Sequence, residues 1–348
     1  MKNIFSRKGF SHALTATVIG GGMLALASIS CTPVKRGAYT EGSATIFCDD
    51  GFRQVLQEEI EVFEYTYPNS SIIPFYVSES EAIDTLLANK TQAIITTREL
   101  TKEQKEYMKA KYKRIVRQNC IAVDAVALIV NNRNPIETLS MTDIKGILDG
   151  SISTWNQLAA SPDTTKIKLV FDNQGSSTVS YMRDKFLGPD GKISDNKNAF
   201  AQNNNAQVFD YVKKDPNAIG IISVNWLGDD LSVAKKVPIE QRMEEYNVAT
   251  DTIATELTTE VKILKVSNPT EENDYSPVGF KPYQVYINSG EYPLFRKVYM
   301  VSTASNSTVL HSFYVFVTGF VGQKIITKTG ILPYHMNPRV VQLAGKKK

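Results

Sequence analysis

Three short segments place small polar residues and acids where an apolar strand gives way to a helix: CDDGF (48–52), VSESEA (77–82) and DNQGSST (172–178). A helix N-terminus carries unpaired amides and the positive end of the helix dipole, so several of them aimed at one point make a cradle for an anion or polar ligand. Asp50, Ser80 and Ser177 are also ordinary capping residues, and each alone needs no ligand to explain it. Their recurrence in one chain is what points to a site. A fourth segment, TTREL (96–100), ends a strand on Arg98, whose planar fork suits an oxyanion. A surface pairing of Arg98 with Glu99 or Glu103 is its alternative use. Ser176 and Ser177 have no GxSxG setting, and His311 and His335 lie in unrelated segments, which argues against a hydrolase. No CxxC, HExxH or clustered ligand set is present, so the sequence implies neither a metal nor a cofactor.

The elements that must position these residues read as alternating strands and helices. SATIFC (43–48), SIIPFYV and QAIITT have strand character, and GFRQVLQEEIEVFEYTYP and SEAIDTLLANK have helical periodicity between them. That order implies parallel pairing through right-handed crossovers, and ligands of open α/β sheets bind beyond the carboxyl ends of strands. IAVDAVALIVN (121–131) and AIGIISVNWL (218–227) read as buried strands. MTDIKGILDG, STWNQL and STVSYMRDKFL read as helices, IKLVFD and YPLFRKVYMVS as strands. SNSTVLHSFYVFVTGFVGQKIITKTG reads as one helix ended by Gly330, with Phe313, Phe316 and Phe320 as core. Residues 188–206 and 228–258 read as polar and irregular. At 348 residues the chain suits two lobes better than one core.

The N-terminus belongs to neither lobe. A basic head with Lys2, Arg7 and Lys8 and no acid precedes the apolar run ALTATVIGGGMLALASIS, which ends at Cys31. This is the pattern of a secretory signal, with an uncleaved membrane anchor as the other reading. Without the first 30 residues the 39 basic residues fall to 36, equal to the 36 acidic ones. A balanced charge argues against a nucleic-acid partner. Spacing leaves open whether Cys48 and Cys120 pair.

The order and spacing of TTRELTKEQ, IAVDAVALIVNNRNP, MTDIKGILDGSISTWNQL, GSST before a helix, AIGII, YPLFRKVY and FVTGFVGQKIITKTGILP resemble the substrate-binding lipoproteins of phosphate ABC importers, over nearly all of residues 42–342. The resemblance implies an α/β, two-lobed type 2 periplasmic binding protein fold with hinge strands. Its parts would be a signal peptide (1–30), a lipidated tether (31–42), lobe 1 (43–125 and 285–348) and lobe 2 (126–284). It implies a non-enzymatic protein that closes on a small oxyanion, phosphate, and delivers it to an ABC permease. The small residues before Cys31 resemble a lipoprotein cleavage site, which implies export and a lipid anchor on Cys31, facing the periplasm or the cell exterior. By position, the ligand set would be Asp49, Asp50, Ser80, Thr97, Arg98, Asp172, Ser176, Ser177 and Thr178.

Two departures accompany the resemblance. Cys48, Asp49 and Asp50 stand where the family has Gly-Ser-Thr, and Asp172 stands where it has an arginine. A carboxylate beside phosphate is favourable only when it accepts the ligand's own proton. The second reading is therefore the same fold with a different ligand, one whose amino or hydroxyl groups suit Asp49, Asp50 and Asp172.

Overall fold

The computed structural model describes residues 38–158, 162–228, 236–247, 256–268 and 278–335. The expected signal, Cys31, most of the tether and the terminal lysines lie outside the described residues.

Strand β1 (Gly42–Asp49) passes through a 3-10 turn into helix α1 (Arg53–Thr66), followed by β2 (Ser70–Val77), α2 (Glu79–Leu87), β3 (Ala93–Thr96) and α3 (Lys102–Tyr112). The middle of the chain holds β4 (Arg117–Val130), β5 (Thr138–Ser140), α4 (Met141–Asp149), β6 (Lys168–Phe171), α5 (Ser177–Phe186), β7 (Ala199–Ala201), α6 (Asn205–Lys214) and β8 (Ala218–Ser223). Then come α7 (Ile239–Asn247), β9 (Lys262–Ile263), β10 (Lys265–Ser267), α8 (Gln284–Ser289), β11 (Phe295–Ser302), α9 (Val309–Thr318), α10 (Phe320–Lys328) and β12 (Leu332–Pro333).

The main sheet runs β2-β1-β3-β11-β4-β8-β6-β7, with β9 and β12 also on β4. β1 pairs in parallel with β2 and β3, and β6 in parallel with β7 and β8. β11, returning from the far end of the chain, is antiparallel to β3 and β4. β4 is the strand the two lobes share. Residues 117–125 pair with β11, and residues 126–130 pair with β8. Its apolar stretch from Ile121 to Val130 is almost wholly buried, as a strand covered on both faces must be.

Three expectations need correction. Neither 188–206 nor 228–258 is irregular throughout, because Ala199–Ala201 is a strand paired with β6 and Ile239–Asn247 is helical. This helix has only a short apolar stripe of Ile239, Met243 and Tyr246, and docks through polar groups as well: Tyr246 packs with Val62 and Ile325, Arg242 pairs with Glu58 and Glu61 of α1, and the Tyr246 hydroxyl donates to Glu58 at 2.8 Å. The long C-terminal helix is two, α9 and α10, bent by 63° at Gly319. A Cβ on Gly322 would lie 2.5 Å from Phe316 O and Val317 Cα, so only glycine permits this fold-back. The bend leaves Phe320 exposed while Phe313 is fully buried. No single helix among the described residues is long and apolar enough to cross a membrane. Cys48 and Cys120 are both free thiols.

Candidate functional site

The carboxyl ends of β1 and β6 meet at the seam between the lobes. β6 ends on Phe171, and the loop from Asp172 to Gly175 turns into α5, whose cap is Ser176: its Oγ accepts from Val179 N at 3.2 Å. The approach at Gly175 is close: a Cβ there would stand 2.4 Å from Ser80 Oγ of the other lobe and would have to push that hydroxyl aside. Ser80 instead donates its backbone N–H and its hydroxyl to Gly175 O, at 3.2 and 3.3 Å. Both lobes also meet on Gly51, whose carbonyl accepts from Asn225 Nδ2 at 2.6 Å and from Trp226 Nε1 at 2.9 Å.

Asp49, the last residue of β1, reaches into the head of α5. Its Oδ2 accepts from Ser177 N at 3.0 Å and its Oδ1 from Ser177 Oγ at 2.9 Å. Oδ1 also accepts from Gly51 N at 3.0 Å. Asp172 lies beside it, accepting from Ser176 Oγ and, at 3.0 Å, from Asn205 Nδ2 of α6. Burial, aided by Glu79, lifts the Asp49 carboxyl from 3.8 to about 6 against the bonds from Ser177 and the attraction of Arg296. Burial and the neighbouring Asp49 lift Asp172 to about 7.

The buried cation here is Arg296, not Arg98. Arg296 on β11 and Asp124 on β4 are direct cross-strand partners, joined through Nε at 3.0 Å and Nη2 at 2.9 Å. Their side chains are 3% and 0% exposed. Arg296 Nη2 also lies 3.4 Å from Thr178 Oγ1 in the first turn of α5, while Nη1 is buried without a partner. Asp124 further accepts from Ser223 Oγ at 2.7 Å. Burial still holds the Asp124 carboxyl above its ordinary value.

Of the ligand set read from the sequence, Asp49, Asp172, Ser176, Ser177 and Thr178 come together. Ser80 lies at the seam. Asp50 is turned aside: its Oδ1 is held by Arg53 Nε at 2.7 Å, and Arg53 stacks on Tyr76. Thr97 is turned onto Glu79, whose Oε1 accepts from Thr97 N at 2.6 Å, Thr97 Oγ1 at 2.9 Å and Thr96 Oγ1 at 2.7 Å. Arg98 is 53% exposed, 3.9 Å from Glu79 Oε2 at its closest. Sequence reasoning missed Glu79, Asp124, Arg296, Asn205 and Asn225. The lone Asp in IAVDAVALIVN and the lone Arg at the head of FRKVYMVS were the available signal: opposite charges in two buried strands must find each other.

Comparison with known proteins gives the family of this fold. A model of the PBP superfamily domain matches residues 34–320. The phosphate-binding protein PstS of Staphylococcus haemolyticus is 23% identical over 213 residues, covering 60% of this chain, and the chain spans 62% of that relative's length. The phosphate-binding protein PstS of Pseudomonas aeruginosa PAO1 is 22% identical over 343 residues, 94% of each chain. A Clostridium perfringens structure with bound phosphate superimposes with a TM-score of 0.64 at 20% identity, covering 84% of this chain and 100% of that one. At that identity the likeness is one of fold.

Proposed function

We propose that the chain, which belongs to the PBP superfamily, is an exported solute-binding protein that holds phosphate between its two lobes for an ABC importer. The lobes are residues 43–125 with 285–348, and 126–284, hinged at β4 and β11. A signal over residues 1–30 directs export and is removed, a lipid on Cys31 then tethers the protein to the membrane, and it catalyses no reaction. One observation carries the reading: at the lobe seam the head of α5, with Ser176, Ser177 and Thr178, stands next to a buried guanidinium with one Nη lacking a partner. A dry anion site is built from such parts, amides and hydroxyls at a helix N-terminus and a planar cation. The relatives named as phosphate-binding proteins support the choice of anion.

A second reading rests on the acids. Asp49, Asp124 and Asp172 outnumber Arg296 at the seam, which suits a ligand offering amino or hydroxyl donors. Calorimetry of the purified protein, dialysed free of phosphate, separates the two. A saturable one-to-one heat with inorganic phosphate and none with sulfate is expected. Silence with phosphate and a heat with an amine or sugar would replace the first reading by the second.

A further inference from the structure

We infer that Asp49 is an internal anion: its carboxylate occupies the donors of α5 that an incoming oxyanion needs, so that an oxyanion binds there only once Asp49 has taken up a proton. The inference rests on the reading of this seam as an anion site, and makes Asp49 the residue that sets the pH at which an anion binds there.

The geometry is that of a bound anion made from the chain's own side chain. The two carboxylate oxygens of Asp49 take the Ser177 amide and the Ser177 hydroxyl at 3.0 and 2.9 Å, one lobe reaching into the other. The third bond, from Gly51 N, fixes the carboxylate in that pose. A Cβ on Gly51 would press to 2.7 Å from Asp49 Oδ1, so the turn is shaped around this side chain. The same substitution of a carboxylate for a ligand is repeated nearby, where Glu79 takes the Thr97 amide and hydroxyl. Arg296 remains, with Nη1 buried and unpartnered and Nη2 touching Thr178. A second anion with Asp49 still ionised would stack negative charge in a dry seam that one guanidinium, already paired with Asp124, cannot neutralise.

Among the charged and titratable groups around Asp49, Glu79 opposes its ionisation and Arg296 favours it. Its own turn carries Cys48 and the Asp50–Arg53 pair, α2 brings Glu79, the β6–α5 loop brings Asp172, and β11 brings Arg296 backed by Asp124 of β4. Two further acids against one shared cation favour protonation as an anion enters.

Calorimetric titration with inorganic phosphate, comparing wild type with Asp49→Asn and Asp49→Ser, tests this. With the Asp49 carboxyl at about 6, only about one molecule in thirty holds its proton at pH 7.5, so both variants bind phosphate roughly thirtyfold more tightly than wild type there. The gap closes to within about threefold at pH 5.5. Phosphate's own titration is common to all three proteins and cancels in the ratio. Repeating the titrations of wild type and Asp49→Asn in buffers of different ionisation enthalpy removes phosphate's own protons by difference, and about one more proton taken up by wild type at pH 7.5 is expected. Equal or weaker binding by the variants at pH 7.5, or the same proton uptake by wild type and Asp49→Asn, overturns the inference. An independent arm uses no phosphate: exchange of the Ser177 amide, tenfold or more slower in wild type than in Asp49→Ala, supports the internal anion, and equal exchange overturns it. Slow exchange in wild type with no phosphate binding by any protein sinks the proposed ligand and leaves the internal anion standing.

Discussion

Replacing Asp172 by asparagine keeps the shape of a buried side chain and removes its charge. In the folded protein this carboxyl is lifted from 3.8 to about 7, first by burial and then by Asp49. The unfolded chain gives up the same proton near pH 4. Between about pH 4 and 7 the native state therefore binds a proton that the unfolded state has lost, so stability falls as pH rises through that window and levels off above it. A rise of about three pH units corresponds to roughly 4 kcal/mol at the plateau. Asparagine escapes this penalty at the expense of an acceptor, since Asp172 receives Ser176 Oγ on one oxygen and Asn205 Nδ2 on the other. The new NH2 has a partner to find in Asn205 Oδ1, which is buried and unpaired, and a lost neutral bond costs about 1 kcal/mol. Asp172→Asn should thus gain about 2–3 kcal/mol at pH 8 and be level with wild type, or slightly below it, at pH 4.5. Urea unfolding of both proteins at the two pH values measures this. A loss of equal size at both would refute the assignment of a strained, protonated Asp172.

Three further outcomes are expected. Arg296→Gln leaves Asp124 buried without its counter-charge and should cost about 3–5 kcal/mol in chemical denaturation; adding Asp124→Asn should restore a large part of it, and an additive loss would show that the pair is not coupled. Glu59 is buried on α1 with neither carboxylate oxygen hydrogen-bonded, beside an apolar cavity of about 30 Å³ lined by Ile95, Ile121, Val298 and Phe313. Burial and Glu58 push its carboxyl well up, so Glu59→Leu should stabilise by about 1–3 kcal/mol at pH 8. That gain should shrink as pH falls toward 4, and a gain independent of pH would argue against the buried acid. Arg98→Ala should leave phosphate affinity within about threefold, because a half-exposed pair contributes roughly 0–1 kcal/mol; a thirtyfold loss would return Arg98 to the site.

The order of elements was legible in the amino-acid sequence wherever local pattern and burial agree. β1, α1, β2 and α2 follow the alternation of apolar runs and helical stripes, and β8 follows AIGIIS, because each buries an apolar face that its own composition announces. α7 was hard to read because its apolar stripe is only Ile239, Met243 and Tyr246, and Arg242, a residue usually exposed, is buried on its docking face against acids of α1. The break between α9 and α10 was illegible because Gly319 and Gly322 read as tolerated glycines, and only the close approach of Val317 to Gly322 demands one.

At the site the division has the same cause. Residue types and local spacing determined the small polar residues heading α5 and the acids at the strand ends, since those depend on neighbours a few positions away, although the caps are Asp49, Ser78 and Ser176 and not the expected Asp50, Ser80 and Ser177. The tertiary structure alone decided which acid meets which donor. Asp49 and Ser177 are 128 positions apart, Asp124 and Arg296 are 172 apart, and neither pair has a local signature. Whether a strand-end carboxylate faces solvent, its own helix or the amides of another lobe is set by the sheet order that brings β1, β4, β6 and β11 together. That placement removes water from Asp49 and Asp172, and a charge without water is satisfied by whatever donor the fold delivers to it.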